Sequence, residues 1–468
     1  MFKINSLFLL MSSIFIFRRD YRLDDNKGLL EACKNSKTVY PIYIFTPEQI
    51  DNAKNDYKSH NSVKFLCDSL KELDTMLNNR LTFFYGPNID ILKKCIQTWN
   101  VSNVYVNNDY TPYSVSRDKK IDQLCTTLKV NFIGVEDINL VPINTIKPTG
   151  KLFYSKFSPF YNKLLNTNID KPIKFKYINK ISKNTISNSI NINTIDRYYD
   201  ESKLGAHVSK GGRKSGLAIL RNISKFADYD SSRDQLIYNT THMSPHIKYG
   251  TISIREAYHA IVSKLGKNSG LLRQLMWHDY FNNLAYNNPE TFEYGMADYA
   301  KNVKWIKNKK WLDAWKKGET GYPIIDSCMT ELNQTGYLHN RGRMIVANFL
   351  TKIMGINWKE GEKYFAQTLY DYDPVQNNMG WAGQASMTGI EARPFNQSVL
   401  NPWIQSSKFD KGGAYIKKWL PVLKDVDPRD LHDWENKNHK YDVDYPKPIV
   451  DYKEQKEKVL KIYYDSRN

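Results

Sequence analysis

The sequence predicts a two-part chain: an amino-terminal α/β domain built on a doubly wound parallel sheet, joined by a long linker to a carboxyl-terminal all-α domain. Three observations predict it. Short β-branched or aromatic runs alternate with helical patterns only as far as about Asp137. Beyond Tyr198, amphipathic helical spacing replaces them. A chain of 468 residues also exceeds what one hydrophobic core organises. The boundaries read from these shifts are 12–140 for the α/β domain, 141–197 for the linker and 198–468 for the helical domain.

The opening "MFKINSLFLLMSSIFIFRRD" sets a lysine before an apolar run, as a signal peptide does. No small-residue cleavage site follows, and "SSIFIF" reads as a first buried strand. Translation is expected to begin at Met1 or at Met11. "TVYPIYIF", "LTFFYG", "VSNVYVNN" and "VNFIGVED" are the next strands. Runs that are apolar on both faces and separated by helices predict a parallel sheet covered on both sides. Ligands of such sheets sit at the carboxyl ends of the strands. No GxGxxG follows the first run, however, and no GxxxxGK[ST] occurs anywhere, which argues against a conventional dinucleotide fold or a P-loop enzyme.

From Val141 to about Asp196 the pattern dissolves into "KPIKFKYINKISKNTISNSININTI", rich in lysine and asparagine with little periodicity, as a basic linker would be. The more aromatic "TGKLFYSKFSPFYNKL" inside it is expected to pack against a domain. "SIREAYHAIVSKL", "GLLRQLMWHDYFNNLAY", "YPIIDSCMTELNQ" and "RGRMIVANFLTKIM" then space their apolar residues as helices do.

A net charge of +18 favours a polyanionic partner, nucleic acid or an acidic membrane surface, with a lysine-rich coding bias as the competing explanation. The 32 Tyr, 20 Phe and 10 Trp suit stacking on bases. The five cysteines, Cys33, Cys67, Cys95, Cys125 and Cys328, never stand at CxxC spacing, so neither a metal site nor a disulfide framework is expected, and a reducing intracellular compartment fits. No stretch is long and apolar enough to suggest a membrane span.

"YDYDPVQNNMGW" is an odd stretch for a helical segment: two acids, a proline, tandem amides, then a tryptophan. Its plain reading is a helix start, with Pro374 in the first turn, the acids at the positive pole of the macrodipole and Trp381 in the core. Four other stretches stand with it: "FRRDYRLDDN", "TTHMSPHIKYGTIS", "WKKGETGYPIIDSCMTELNQTGYLHNRGRMIVANFLTK" and "NPWIQSSKFDKGGAYIKKWLPVL". With all five in this order, the chain resembles the photolyase and cryptochrome flavoproteins over nearly its whole length. It is most similar to the class I cyclobutane pyrimidine dimer photolyases.

The resemblance implies an amino-terminal antenna domain, a helical domain that binds FAD and UV-damaged DNA, and a reduced flavin that passes an electron to the lesion when excited by light. The loop Tyr229, Thr240, Thr241, His242, Met243 and Ser244 would hold the flavin phosphates, although Ser244 before Pro245 also reads as an ordinary N-cap. Asp373 would accept a hydrogen bond from the isoalloxazine, and Asp371 would pair with Arg343 beside its reactive edge. Asn377 would face the protonatable ring nitrogen, where an amide can donate or accept. Plant cryptochromes carry an acid at that place, so the amide leans toward repair. Trp381, Trp358 and Trp305 would form an electron-hopping chain, against the plain reading that each is core.

On the substrate side the resemblance places Arg233, Arg341 and Gln405 toward DNA and Trp277 as a stacking wall for a flipped-out dimer. The (6-4) photolyases have two histidines where this chain has Asn340 and Met344, so cyclobutane dimers are favoured. Gln274 in place of a glutamate, His278 in place of an arginine, and Gly383 near the place of an expected second tryptophan keep a (6-4) enzyme open as the alternative. A cryptochrome-like light sensor and a cofactor-free basic DNA-binding protein are the readings from other classes. His339 reads as a structural hydrogen-bonding group. "NNDYTPYSVSRDKKI" lacks the asparagine-glutamate pair of folate-binding members. A second antenna chromophore is therefore left open between a deazaflavin, a second flavin and none. A monomer with no membrane partner is expected.

Overall fold

The computed structural model describes residues 11–206, 208–390 and 394–467. The choice between Met1 and Met11 as the start bears on residues 1–10, which lie outside them. The chain divides into two compact units that do not follow chain order. The first comprises Met1–Ser202, Ser209–Ala227 and Thr241–Pro289, the second Lys203–Val208, Asp228–Thr240 and Glu290–Asn468.

In the first unit, β1 (Ser12–Ile16), α1 (Lys27–Asn35), β2 (Thr38–Phe45), α2 (His60–Met76), β3 (Thr82–Tyr85), α3 (Asn88–Trp99), β4 (Asn103–Asn107), α4 (Pro112–Thr127) and β5 (Asn131–Val135) alternate as the runs predict. The strand order is β5-β4-β1-β2-β3-β6, all neighbours parallel except β3 with β6. Strand alternation sends Phe15 and Phe17 into one core, and Ile14 and Ile16 into another on the opposite face. Both faces are thus buried, as a doubly wound sheet requires.

The winding reverses at β1, which lies between β2 and β4. There the start of α1 is filled by the chain's own side chains. Lys27 N donates to Asp137 Oδ1 (3.2 Å), Gly28 N to Asn107 Oδ1 (2.9 Å) and Leu29 N to Asn26 Oδ1 (3.1 Å). A Cβ at Gly28 would lie 2.5 Å from Asn107 Oδ1, so the glycine permits this approach. The amides that hold a pyrophosphate in dinucleotide folds are therefore already satisfied, in keeping with the missing glycine motif.

The stretch read as a linker at 141–197 belongs to the first unit. It carries α5 (Phe157–Leu165) and β6 (Ser189–Ile190), which pairs antiparallel with β3, while Ile181 bridges to Val39. Arg80 Nη1 donates to the carbonyls of Ile178 and Ile181 at 3.0 Å each. A two-residue edge strand anchored by isolated isoleucines needs no hydrophobic period, which is why the sequence reads as structureless; its effect is to cover the β3 edge.

Three helices that the sequence reading assigned to the helical domain also belong to the first unit: α6 (Arg213–Arg221), α7 (Ile254–Leu265) and α8 (Gly270–Asn287). Arg255 on α7 is fully buried and bonds Asp25 (2.8 Å) and Asp137 (2.7 Å), and Arg22 shares Asp137. Charge pairs more than a hundred residues apart leave no periodic mark in the sequence.

The second unit is helical: α9 (Lys309–Lys317), α10 (Pro323–Thr335), α11 (Asn340–Lys352), α12 (Trp358–Thr368), α13 (Pro374–Gln384), α14 (Pro402–Phe409), α15 (Ala414–Trp419) and α16 (Tyr452–Asp465), with shorter turns between. One core runs through it, with Trp315, Trp358 and Trp434 fully buried. Among the described residues no helix is long and apolar enough to cross a membrane.

Candidate active site

The odd stretch is the start of α13. Asp373 is its N-cap, with Oδ1 accepting from Val375 N (2.9 Å) and Gln376 N (3.1 Å), and Pro374 follows in the first turn. The helix-start reading therefore accounts for one oxygen of Asp373. Asp371 lies outside the helix, buried, with both oxygens 2.9–3.0 Å from Arg343 Nη2 on α11, and Arg343 Nε donates to Leu338 O (2.8 Å). Burial opposes the Arg343 charge, but Asp371 outweighs it and holds the guanidinium above its usual pKa.

Along one side of α13 stand Asn377, Gly380 and Gly383, three residues apart and all half-buried. A Cβ added at Gly380 or at Gly383 would meet nothing within 4 Å among the described residues. Asn377 Nδ2 donates to Glu362 O (3.1 Å), which turns its Oδ1 away from that carbonyl. Glu362 is anchored in turn: its Oε1 accepts from Asn378 Nδ2 (3.0 Å), and Lys359 pairs with Oε2. The result is an open helix face with one oriented amide acceptor. Glu362 escaped the sequence reading because it acts through its neighbours, and only its spacing from Lys359 hints at it.

Trp381 and Trp358 are both buried in the core of this unit, with Trp305 half-buried against it. Trp305 meets Tyr463 edge-on at 5.9 Å. Trp381 packs edge-on against Phe365 (5.0 Å) and Trp315 (6.0 Å), and Gly361 leaves room for its indole. Trp315, which the sequence reading passed over, donates Nε1 to Val346 O at 3.1 Å.

Asn340 is exposed and meets Met344 one turn on, its Nδ2 3.8 Å from Sδ. Arg341 pairs with Asp234 at 2.6 Å and lies over the ring of Phe409 (4.4 Å), so part of its charge is already matched. Arg233 and Gln405 are half-buried in the same unit. His339 caps α11, its Nδ1 accepting from Arg341 N (3.1 Å), which is the structural role expected of it. Tyr229 is half-buried, and Thr240 Oγ1 lies 3.2 Å from Tyr337 OH.

In the first unit Thr241 Oγ1 accepts from Met243 N (3.3 Å) and His242 has φ 49°, while Met243 is buried. Ser244 is exposed and lies within the short helix Ser244–Lys248, whose N-cap is Met243 without a side-chain bond. The N-cap expected at Ser244 is thus displaced by one residue, because the backbone of Met243 is already helical. Gln274, Trp277 and His278 share one face of α8, all half-buried; His278 Nδ1 lies 3.3 Å from the buried Asp279.

At the carboxyl end of β1, Arg18 pairs with Asp118 (2.9 Å), which Arg117 also holds (2.9 Å). Burial and the neighbouring Arg117 push Arg18 down to about 10. Arg18 and Arg117 each keep a buried terminal nitrogen without a hydrogen-bond partner among the described residues. No group of three or more His, Cys, Asp or Glu among them could hold a metal ion.

The chain matches the DNA photolyase domain over residues 13–175 and the FAD-binding domain of DNA photolyase over 271–465. It is 30% identical to the deoxyribodipyrimidine photo-lyase of Escherichia coli K12, covering 96% of this chain and 98% of that one. The chain belongs to the DNA photolyase family. Among solved photolyases, it is 36% identical to that of Sulfolobus tokodaii, described with two FAD molecules, with a TM-score of 0.86 and coverage of 97% and 100%. A class III photolyase from Agrobacterium tumefaciens is 27% identical, with a TM-score of 0.85 and coverage of 98% of each chain.

For this photolyase the matched FAD-binding domain takes in α8 as well as α9 to α16, and the geometry along α11 and α13 fits a flat cofactor. The face of α13 at Gly380 and Gly383 carries no side chain, and Asn377, its Nδ2 held by Glu362 O, turns its amide oxygen away from that carbonyl. On the adjoining α11, Arg343 is held as a compact ion pair with Asp371.

Proposed function

We propose that the protein is a light-driven deoxyribodipyrimidine photo-lyase that splits cyclobutane pyrimidine dimers in UV-damaged DNA. The observation that carries this reading is the bare face of α13, oriented Asn377 at one end, in a chain whose relatives of like length bear that name. When bound, reduced FAD supplies the light-excited electron. Asn377 Oδ1 is the group assigned to the protonatable ring edge, held there by the bond from its Nδ2 to Glu362 O. The Arg343–Asp371 pair binds the ring while adding little net field. Tyr229, Thr240, Thr241, His242, Met243 and Ser244 are assigned to the phosphates, and Asp373 fixes the start of α13. Trp381, Trp358 and Trp305 are assigned to carrying electrons inward to the flavin from an external reductant dissolved at the surface, the hole passing outward along the same rings.

Arg233, Arg341 and Gln405 in the second unit, and Gln274, Trp277 and His278 in the first, are the DNA contacts. Asn340 and Met344 cannot shuttle protons, which favours the cyclobutane lesion. The open space at Gly383, where a tryptophan would stand, supports the (6-4) lesion as second reading. In the first unit, the unmatched guanidinium nitrogens of Arg18 and Arg117 suit an anionic antenna chromophore, for which a second flavin is the choice. Five buried, unbridged cysteines support a reducing intracellular setting, and we take the working form to be a monomer.

The test is the purified chain with full FAD, chemically reduced and illuminated with blue light on oligonucleotides carrying either lesion. Restored thymines from the cyclobutane substrate alone are expected. Dimers left unchanged refute the proposal, and repair of the (6-4) substrate instead selects the second reading.

A further inference from the structure

Trp277 is not a free-standing ring. Phe157, the first residue of α5, lies parallel to it at 3.7 Å between centroids and 8° between planes. Tyr280 and Phe281 brace the indole edge-on at 5.5 and 5.3 Å. Phe157 is itself buried, packed edge-on against Tyr280 (5.5 Å) and beside Tyr161 (5.6 Å), with the Arg273 guanidinium 5.5 Å from its ring. One face of Trp277 is therefore covered for good, its tilt is set by two edges, and the indole stays half-buried.

We infer that Phe157 is a positioning residue for damaged-base recognition: it stacks behind Trp277 and holds the indole plane so that its other face receives an extruded pyrimidine pair. This rests on the assignment of Trp277 as a stacking wall. The physical reason is preorganisation. An indole held at one tilt loses little freedom when a base lands on it, whereas one free to rotate must be ordered by the ligand. A parallel aromatic pair also gains beyond its buried area, so the support is specific to a ring. The assignment gives the aromatic segment around Phe157 a task that its place in a lysine-rich stretch conceals.

The experiment measures dissociation constants of the FAD-loaded protein, in the dark, for dimer-containing and undamaged oligonucleotides, in wild type, Phe157→Leu, Phe157→Tyr, Trp277→Ala and Phe157→Leu/Trp277→Ala. Flavin absorbance and thermal midpoint serve as fold controls. Phe157→Leu keeps a large apolar side chain and loses the ring. It is expected to lower the preference for dimer by about 3- to 10-fold, the range of an aromatic pair. Phe157→Tyr restores the preference. Trp277→Ala lowers it by about 10-fold or more, and Phe157→Leu then adds nothing further. Loss in Trp277→Ala without loss in Phe157→Leu overturns the inference and leaves the role of Trp277 standing, as do additive losses. Undiminished preference in Trp277→Ala overturns both.

Discussion

Gly361→Ala is the sharpest test of how tightly the tryptophan core is built. A Cβ on Gly361 would lie 2.1 Å from Cη2 and 2.4 Å from Cζ3 of Trp381, and 2.8 Å from Cδ2 of Leu350. Carbon atoms settle about 3.5–4.0 Å apart, so the indole must retreat by more than about 1 Å. It has nowhere to go, since it is 2% exposed and wedged against Phe365 and Trp315. Overpacking of this kind costs about 1–3 kcal/mol, and alanine returns about 1 kcal/mol of helix propensity, leaving a net loss of about 1–2 kcal/mol. Urea unfolding should show the lower midpoint at unchanged slope. In a Trp381→Phe background the offending outer ring atoms are gone, and the same substitution should cost nothing or stabilise slightly. Equal cost in both backgrounds, or a more stable Gly361→Ala in the parent, would refute this reasoning.

Three further outcomes follow from the same geometry. Asp371→Asn leaves the Arg343 guanidinium, only 27% exposed, without its counter-charge; a loss of about 1–3 kcal/mol and weakened flavin retention are expected, read by unfolding and by flavin released on dilution. Trp305→Phe should slow photoreduction of oxidised flavin while sparing repair by enzyme reduced beforehand, and equal loss of both in transient absorption and repair assays speaks against the hopping role. Burial raises Glu331 to about 7 despite a hydrogen bond from Tyr415 OH, so the folded state holds a proton that the unfolded chain releases near 4.5. That stability is complete below the unfolded pKa and is lost as pH rises to about 7, by up to about 3 kcal/mol. Glu331→Gln should flatten the decline in urea midpoint between pH 5 and pH 8, and an unchanged slope would show that another group is responsible.

The strands were legible because burial on both faces writes itself as short apolar runs, and β1 to β5 lie where "SSIFIF" and its successors place them. The Arg343–Asp371 pair was expected from resemblance alone and is present in the structure. What escaped the sequence has a common cause: it depends on single long-range contacts. β6 needs two residues, α7 is tied by Arg255 to Asp25 and Asp137 in the loops after β1 and β5, and Phe157 meets Trp277 across more than a hundred residues. None of these imposes a period on neighbouring residues. Asp373 shows the opposite case, in which composition marked an N-cap so plainly that a second role for the residue stays invisible beside it.

The occupied start of α1 bears on which nucleotides this half can hold. A basic chain with an empty pyrophosphate cradle would take up adenosine phosphates or nicotinamide coenzymes wherever it met them. Here Asn26, Asn107 and Asp137 stand in for that guest from within. To admit a nucleotide at this position, the protein would have to surrender three internal contacts at once, so no single substitution turns this half of the molecule into a dehydrogenase-like carrier.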